Sequence, residues 1–228
     1  MCGRFVLALH GVELAEELTD LNPYPRLRLD ELRPRYNVAP TDEIAVVRRA
    51  AERLELDRLR WGIYVRGRQL INVRGDTALR SGLFGALLDR HRVLIPATGF
   101  YEWMRHRQPM LVGPTEGRLL GLAGLEGHWR DPRTARSVPA LVIVTTTPNG
   151  VMSRLHDRQP VVLPREAWRH WLDGDAGTSD VEELLQPCPD EWLTIRPASP
   201  AVNDVRNDGP ELLLEPVGLP EELELPWR

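Results

Sequence analysis

The sequence contains no lysine: all 29 of its basic residues are arginine. Arginine stays protonated and does not form imines. The amino terminus is therefore the only primary amine, and any Schiff-base chemistry belongs there. Cysteine is almost as scarce. Two residues, Cys2 and Cys188, rule out a disulfide framework of the kind that staples small secreted domains. Neither has His or Cys nearby at metal-ligand spacing, so no metal and no cofactor is expected. No apolar run approaches the ~20 residues of a transmembrane helix. No basic stretch followed by an apolar one marks a leader, and the expected compartment is the cytosol, with no membrane partner and a monomeric chain.

The 228 residues are enough for one full hydrophobic core. Net charge is −4, which argues mildly against nucleic acid. Its distribution weakens that argument. Residues 208–228 hold six carboxylates against one Arg. The rest of the chain is close to neutral and has room for an Arg-lined groove. The acidic end, 218–228, reads as a solvated tail beyond a single domain spanning 1–217.

Periodicity predicts a short helix over 11–20, from Val12, Ala15, Leu18 and Leu21. Residues 22–42 are Pro-rich and read as irregular. A hairpin follows, formed by 43–48 and 54–61. A helix over 77–90 carries Leu79, Leu83, Leu87 and Leu88, with Thr77 as its cap. Strands are expected over 93–103, 109–112, 119–125 and 139–146, with Val142-Ile143-Val144 at the centre of the sheet. Further on come an apolar run at 160–163, a helix from Pro164 to Leu172, and a capping-box helix from Ser179. Strands near 192–196 and 211–217 close the chain. Strands interspersed with helices, without regular βαβ units, give a single α+β domain whose largely antiparallel sheet is barrel-like.

What the chain does have is a cysteine at position 2, a residue small enough for the initiator Met to be removed before it. Removal would place a free α-amine and a thiol on neighbouring carbons. Such a pair condenses with an aldehyde to an imine, and the sulfur then closes a five-membered thiazolidine. The amine has an ordinary pKa near ~8 and is partly nucleophilic at neutral pH. The thiol, near ~8.5, is expected to fall beside a cation such as Arg4. Three other segments place polar groups in apolar surroundings. Glu102, among Phe100, Tyr101 and Trp103, suits acid–base work if desolvated, or else faces solvent from a strand. His156 can donate or accept a proton, or simply bonds Asp157 in a loop. Asn72 orients a substrate hydroxyl or the α-amine, or caps a turn. Arg4, Arg74 and Arg158 have the guanidinium fork that phosphates accept, or sit in surface ion pairs.

Together these segments resemble the SOS response-associated peptidase (SRAP) family of abasic-site crosslinking proteins. The matching pieces are MCGRF at 1–5, RYNVAPT at 35–41, WG at 61–62, INVRGDT at 71–77, GFYEW at 99–103, LHDRQPVVL at 155–163 and AVNDVRNDGPEL at 201–212. The resemblance implies binding of single-stranded DNA that contains an abasic site. It also implies capture of the open-chain sugar aldehyde by Cys2, and a cleavage that removes Met1. By position, Asn72 would hold the N-terminus and the sugar, Glu102 would move protons, and His156 would contact the sugar hydroxyl. Arg4, Asn37, Pro40, Arg74 and Arg158 would line the DNA. Two departures stand out. Asp76 replaces a longer Glu after the Asn-Val-Arg triplet. Trp61-Gly62 is followed by Ile63–Arg68 in place of a longer loop with a Trp pair, which shifts binding from base stacking towards Arg66 and Arg68. The rival readings are an N-terminal-nucleophile amidohydrolase and a noncovalent nucleic-acid-binding module.

Overall fold

The computed structural model describes residues 2–104, 107–130, 134 and 136–216. Sixteen short strands and five α-helices are found among the described residues. The N-terminal part contains β1 (Phe5–Leu7), α1 (Gly11–Glu17), β2 (Tyr24–Pro25), β3 (Arg35–Val38), β4 (Glu43–Ala50) and β5 (Arg53–Trp61). Then come β6 (Ile63–Val65), β7 (Arg68–Leu70), β8 (Asn72–Arg74), α2 (Gly75–Arg80), α3 (Gly82–Arg90), β9 (Arg92–Ala97) and β10 (Gly99–Trp103). The remainder holds β11 (Pro109–Pro114), β12 (Leu120–Arg130), β13 (Ser137–Thr146), β14 (Gln159–Pro160), β15 (Val162–Leu163), α4 (Trp168–Trp171), α5 (Thr178–Val181) and β16 (Leu193–Pro197).

The architecture is the mixed α+β, mostly antiparallel one expected, and it closes. Strands β13, β12, β9, β4 and β5 pair in that order, and β5 returns to β13 through a short parallel contact, Ala140 beside Arg60 and Leu141 beside Trp61. A closed ring leaves no open edges between its own strands. Leu59, Trp61, Val93, Leu141 and Ile143 are nearly inaccessible and form part of its core. A second, five-stranded sheet runs β16-β11-β10-β1-β3. Among the described residues no helix is long and apolar enough to cross a membrane.

Several elements differ from the sequence pattern, including the helix expected from Ser179, which starts at Thr178 with Gly177 as its cap. The helix expected over 77–90 is two helices, because Ser81 is extended and its hydroxyl accepts the Phe84 amide at 3.2 Å, which starts α3 afresh. The strand expected over 93–103 breaks at Thr98, which bonds back to β1, so β9 joins the barrel and β10 the other sheet. The segment near 211–217 starts with a single 3₁₀ turn, Pro210–Leu213, where Pro210 fixes the turn's opening φ. In the Pro-rich stretch read as irregular, β3 forms by long-range pairing with β1. The expected boundary at 217 and the acidic tail lie outside the described residues.

One buried cation ties the helices to the barrel. Arg92, 5 % exposed, donates to five carbonyls. They are Trp171 O at 2.6 Å, Leu88 O at 2.7 Å, Asp89 O at 2.9 Å, Ala176 O at 2.8 Å and Asp173 O. That matches the five N–H donors of a guanidinium, so burial lowers its pKa yet leaves no donor unmet. Arg92→Met keeps the volume and orphans five acceptors. It should cost more than about 3 kcal/mol, read as a lower urea midpoint.

Candidate active site

The start of the chain is built into the fold. β1 lies between β10 and β3, with Phe5 opposite both Phe100 and Val38. Phe5 also packs on Trp61, ring centres 5.5 Å apart. Cys2, just ahead of β1, is wholly buried. Its carbonyl accepts a hydrogen bond from Asn72 Nδ2 at 2.9 Å. Asn72 opens β8, which runs parallel to the central strand β13 with Asn72 beside Ile143. The other end of the same side chain, Oδ1, is buried and has no hydrogen-bond partner among the described residues.

Glu102 comes from β10 and is 3 % exposed. Burial raises its pKa most, while the positive charge of the amino terminus and then of His156 pull it back. Burial also drives the Cys2 thiol far up, and Glu102 adds to the rise. This corrects the expectation of a thiol acidified by Arg4. The Arg4 guanidinium turns away, donating to Asn37 Oδ1 at 2.7 Å and Val202 O at 2.9 Å, and lies 5.7 Å from the Trp103 ring. Among the described residues the sulfur's hydrogen-bond partner is the Arg4 carbonyl, at 4.0 Å. A thiol held neutral beside a carboxyl of raised pKa is a pair chemically able to exchange a proton.

His156 follows the 3₁₀ turn Met152–Arg154. Its Nδ1 lies 2.9 Å from the Arg158 backbone N–H and 2.8 Å from an Asp157 carboxylate oxygen. Arg158 is nearly buried and donates from Nη2 to Thr145 O and Oγ1, at 2.7 and 2.8 Å. Its Nε is buried and unpartnered. Burial lowers its pKa first, and the nearby Arg74 charge adds to that. Arg74 is exposed and gripped by Asp76 in a fork of 3.0 and 2.8 Å, which holds the Asp76 pKa down to about 2. Cys2, Asn72, Glu102 and His156 therefore converge through three strands and one loop, with Arg74 and Arg158 at the border.

Asn37, expected from the resemblance to line the DNA, is buried among protein partners. It is 1 % exposed, and Nδ2 donates to Val202 O, Asp204 O and Asn207 O at 3.2, 3.1 and 2.8 Å. It positions Arg4 and the 202–207 loop. Pro40, half-buried, opens the turn between β3 and β4, where Thr41 takes a φ of 83°. Asp208 was not singled out, although it lies inside a quoted motif. It accepts from the Tyr36 and Asn37 amides at 2.5 and 2.8 Å and pairs with Arg35. Two further positioning residues, Thr145 and Asn203, bond Arg158 and the Trp103 indole. No sequence signal distinguishes them from ordinary strand and loop polar residues. Asp208→Ala strips two amides of their acceptor and should lower stability by about 2–3 kcal/mol, read by urea unfolding.

The site is thus a buried cysteine at residue 2 near an amide, a carboxyl and an imidazole, set in a barrel-containing α+β fold. Residues 1–205 match the SOS response associated peptidase (SRAP) family, and the chain belongs to it. Among curated relatives, the abasic site processing protein YoqW of Bacillus subtilis is 32% identical over 225 residues, covering 93% of this chain and 99% of its own. The abasic site processing protein YedK of Escherichia coli is 31% identical, with the same coverage. A solved protein from Bacteroides thetaiotaomicron, 18% identical, superposes with a TM-score of 0.80 over 95% of this chain and 100% of its own, which shows a shared fold.

Proposed function

We propose that this protein captures abasic sites in single-stranded DNA as a covalent thiazolidine on Cys2. One observation carries the reading: the only cysteine near an amino terminus in a Lys-free chain is held by Asn72 beside a carboxyl whose pKa burial has raised. Family membership and the printed names of YoqW and YedK, which describe abasic-site processing, support it.

Removal of Met1 makes the Cys2 nitrogen the α-amine. On this reading the peptidase of the family description is a cleavage at the chain's own Met1–Cys2 bond. The amine adds to the aldehyde carbon of the ring-opened sugar, giving a carbinolamine. Glu102, protonated, donates to the departing hydroxyl, and water leaves with formation of the iminium. The Cys2 sulfur then adds to the iminium carbon as its proton passes to the Glu102 carboxylate. The products are a thiazolidine and one water. Asn72 Oδ1 is free to accept from the sugar hydroxyl or the amine, and His156 to contact the sugar. Run backwards, the same proton transfers release the DNA.

Uracil-glycosylase-treated single-stranded oligonucleotide tests this. The protein should give a conjugate that survives boiling without borohydride, and none with a tetrahydrofuran analogue, which lacks the aldehyde. No conjugate with treated DNA would overturn the reading. The N-terminal-nucleophile amidohydrolase would instead form an acyl-enzyme with an amide substrate.

The Arg74–Asp76 fork adds a prediction. A phosphate reaching Arg74 competes with Asp76, so Asp76→Asn should tighten binding of undamaged single strands severalfold at low salt. It should also steepen the salt dependence by about one counterion. Titration by fluorescence anisotropy at several salt concentrations reads both.

A further inference from the structure

The outer face of the barrel holds arginines that form no direct ion pair among the described residues, although Glu31, Asp42 and Glu43 share a groove with Arg58. Arg60 pairs with Ala140 across β5 and β13, and Ala140 with Gly127 across β13 and β12. Partners in register share a face, which recurs every second residue. Arg58, Arg60, Val138 and Trp129 therefore stand on one side of the sheet, opposite to the buried Leu59 and Trp61. The Arg60 guanidinium lies 4.3 Å from the centre of the Trp129 ring. Its Nη1 donates to Thr41 O at 3.0 Å, and its Nε is buried without a partner.

Several exposed arginines elsewhere are paired: Arg28 with Asp30, Arg90 with Asp89, Arg118 with Glu13, Arg165 with Asp20. Among the described residues Arg58, Arg60, Arg66 and Arg68 have no such ion pair. Arg66 and Arg68 belong to the β6–β7 hairpin, where β6 packs on β12 and Tyr64 is 37 % exposed. Glu43 is the cross-strand neighbour of Arg60 and forms no ion pair with it. An aromatic–guanidinium plate flanked by arginines without a direct ion pair and an exposed Val138 has the chemistry of a single-stranded nucleic-acid track. There bases stack on the planes and phosphates follow the charges.

The β6–β7 hairpin joins the strand of the plate to the catalytic pocket: it follows Trp61 of β5, and β7 ends at Leu70, two residues before Asn72. We propose that this face carries the strand beyond the lesion, with one unpaired base on the Arg60–Trp129 plate and its phosphates on Arg58, Arg66 and Arg68. The proposal rests on the single-stranded DNA reading above and extends its footprint.

The test compares undamaged oligothymidylates of about 6 and about 20 nucleotides, below and above common single-strand site sizes. Wild type should bind the longer strand on the order of tenfold more tightly, after correction for the number of registers. Trp129→Leu should lose most of that gain, and so should Arg58→Glu, an exposed change that carries little folding risk. Both variants should still crosslink a short abasic oligonucleotide at the wild-type rate. A length gain equal in wild type and Arg58→Glu, or absent from wild type, overturns the proposal and leaves the face to a partner of another kind. Failure of wild type to crosslink the short abasic strand would instead refute the function itself.

Discussion

Glu102→Gln should fold, melt higher than wild type at pH 8, and form the heat-stable conjugate at least about a hundredfold more slowly. Both effects come from one physical cause. The carboxyl sits 3 % exposed on β10, and burial moves its pKa above the usual range despite the opposing charge of the amino terminus. The native state therefore binds this proton more tightly than the unfolded chain does. Below the ordinary Glu pKa, near ~4.3, both states are protonated and the carboxyl carries no charge penalty. As pH climbs through the raised native value, the folded protein must ionise a buried group or hold its proton against the solvent, and stability falls. Gln keeps the shape without that penalty. The difference in melting temperature between variant and wild type should be small at pH 4 and grow towards pH 8, as differential scanning calorimetry will read. Gln also cannot take the Cys2 proton or supply one to the departing hydroxyl. With the thiol pKa driven up by burial, no thiolate stands ready to bypass that step. A variant as fast as wild type would remove Glu102 from the chemistry. A variant that is destabilised at pH 8 would remove the burial argument.

Cys2→Ser should abolish the heat-stable conjugate while leaving a weaker trace that borohydride can trap. The serine chain keeps its α-amine after loss of Met1, so an imine still forms. Its hydroxyl is a far poorer nucleophile than sulfur, and ring closure does not hold the adduct. The contrast between the two residues separates the roles of nitrogen and sulfur. If the serine variant gives as much boil-proof conjugate as wild type without reductant, the sulfur is not in the linkage. If neither protein gives an adduct even with borohydride, the amine is not reached by the aldehyde.

Local pattern carried the parts of the fold that local physics determines. The 43–61 hairpin, the helix after Gly11 and the buried Val142-Ile143-Val144 follow from periodicity and apolar runs. Breaks that depend on partners did not show. Thr98 interrupts a continuous apolar stretch because its hydroxyl is claimed by β1, more than ninety residues away. β3 exists because β1 lies beside it, and nothing in its own Pro-flanked sequence requires a strand. The site divides in the same way. Cys2, Asn72, Glu102 and His156 were each readable as ordinary structural residues, and only strand pairing together with the loop after Arg154 makes them neighbours. Asn37, expected from the resemblance to line the DNA, is enclosed by the 202–207 carbonyls, which lie far along the chain. The acidity of Cys2 was misread because adjacency to Arg4 in sequence says nothing of where the guanidinium points.

The intact mass of the boiled conjugate tests the chemistry most directly. It should equal the abasic oligonucleotide plus the chain without Met1, less one water, and borohydride should leave it unchanged because a thiazolidine has no imine to reduce. Retention of Met1 in the conjugate, a gain of two hydrogens on reduction, or attachment at an internal residue would contradict the account.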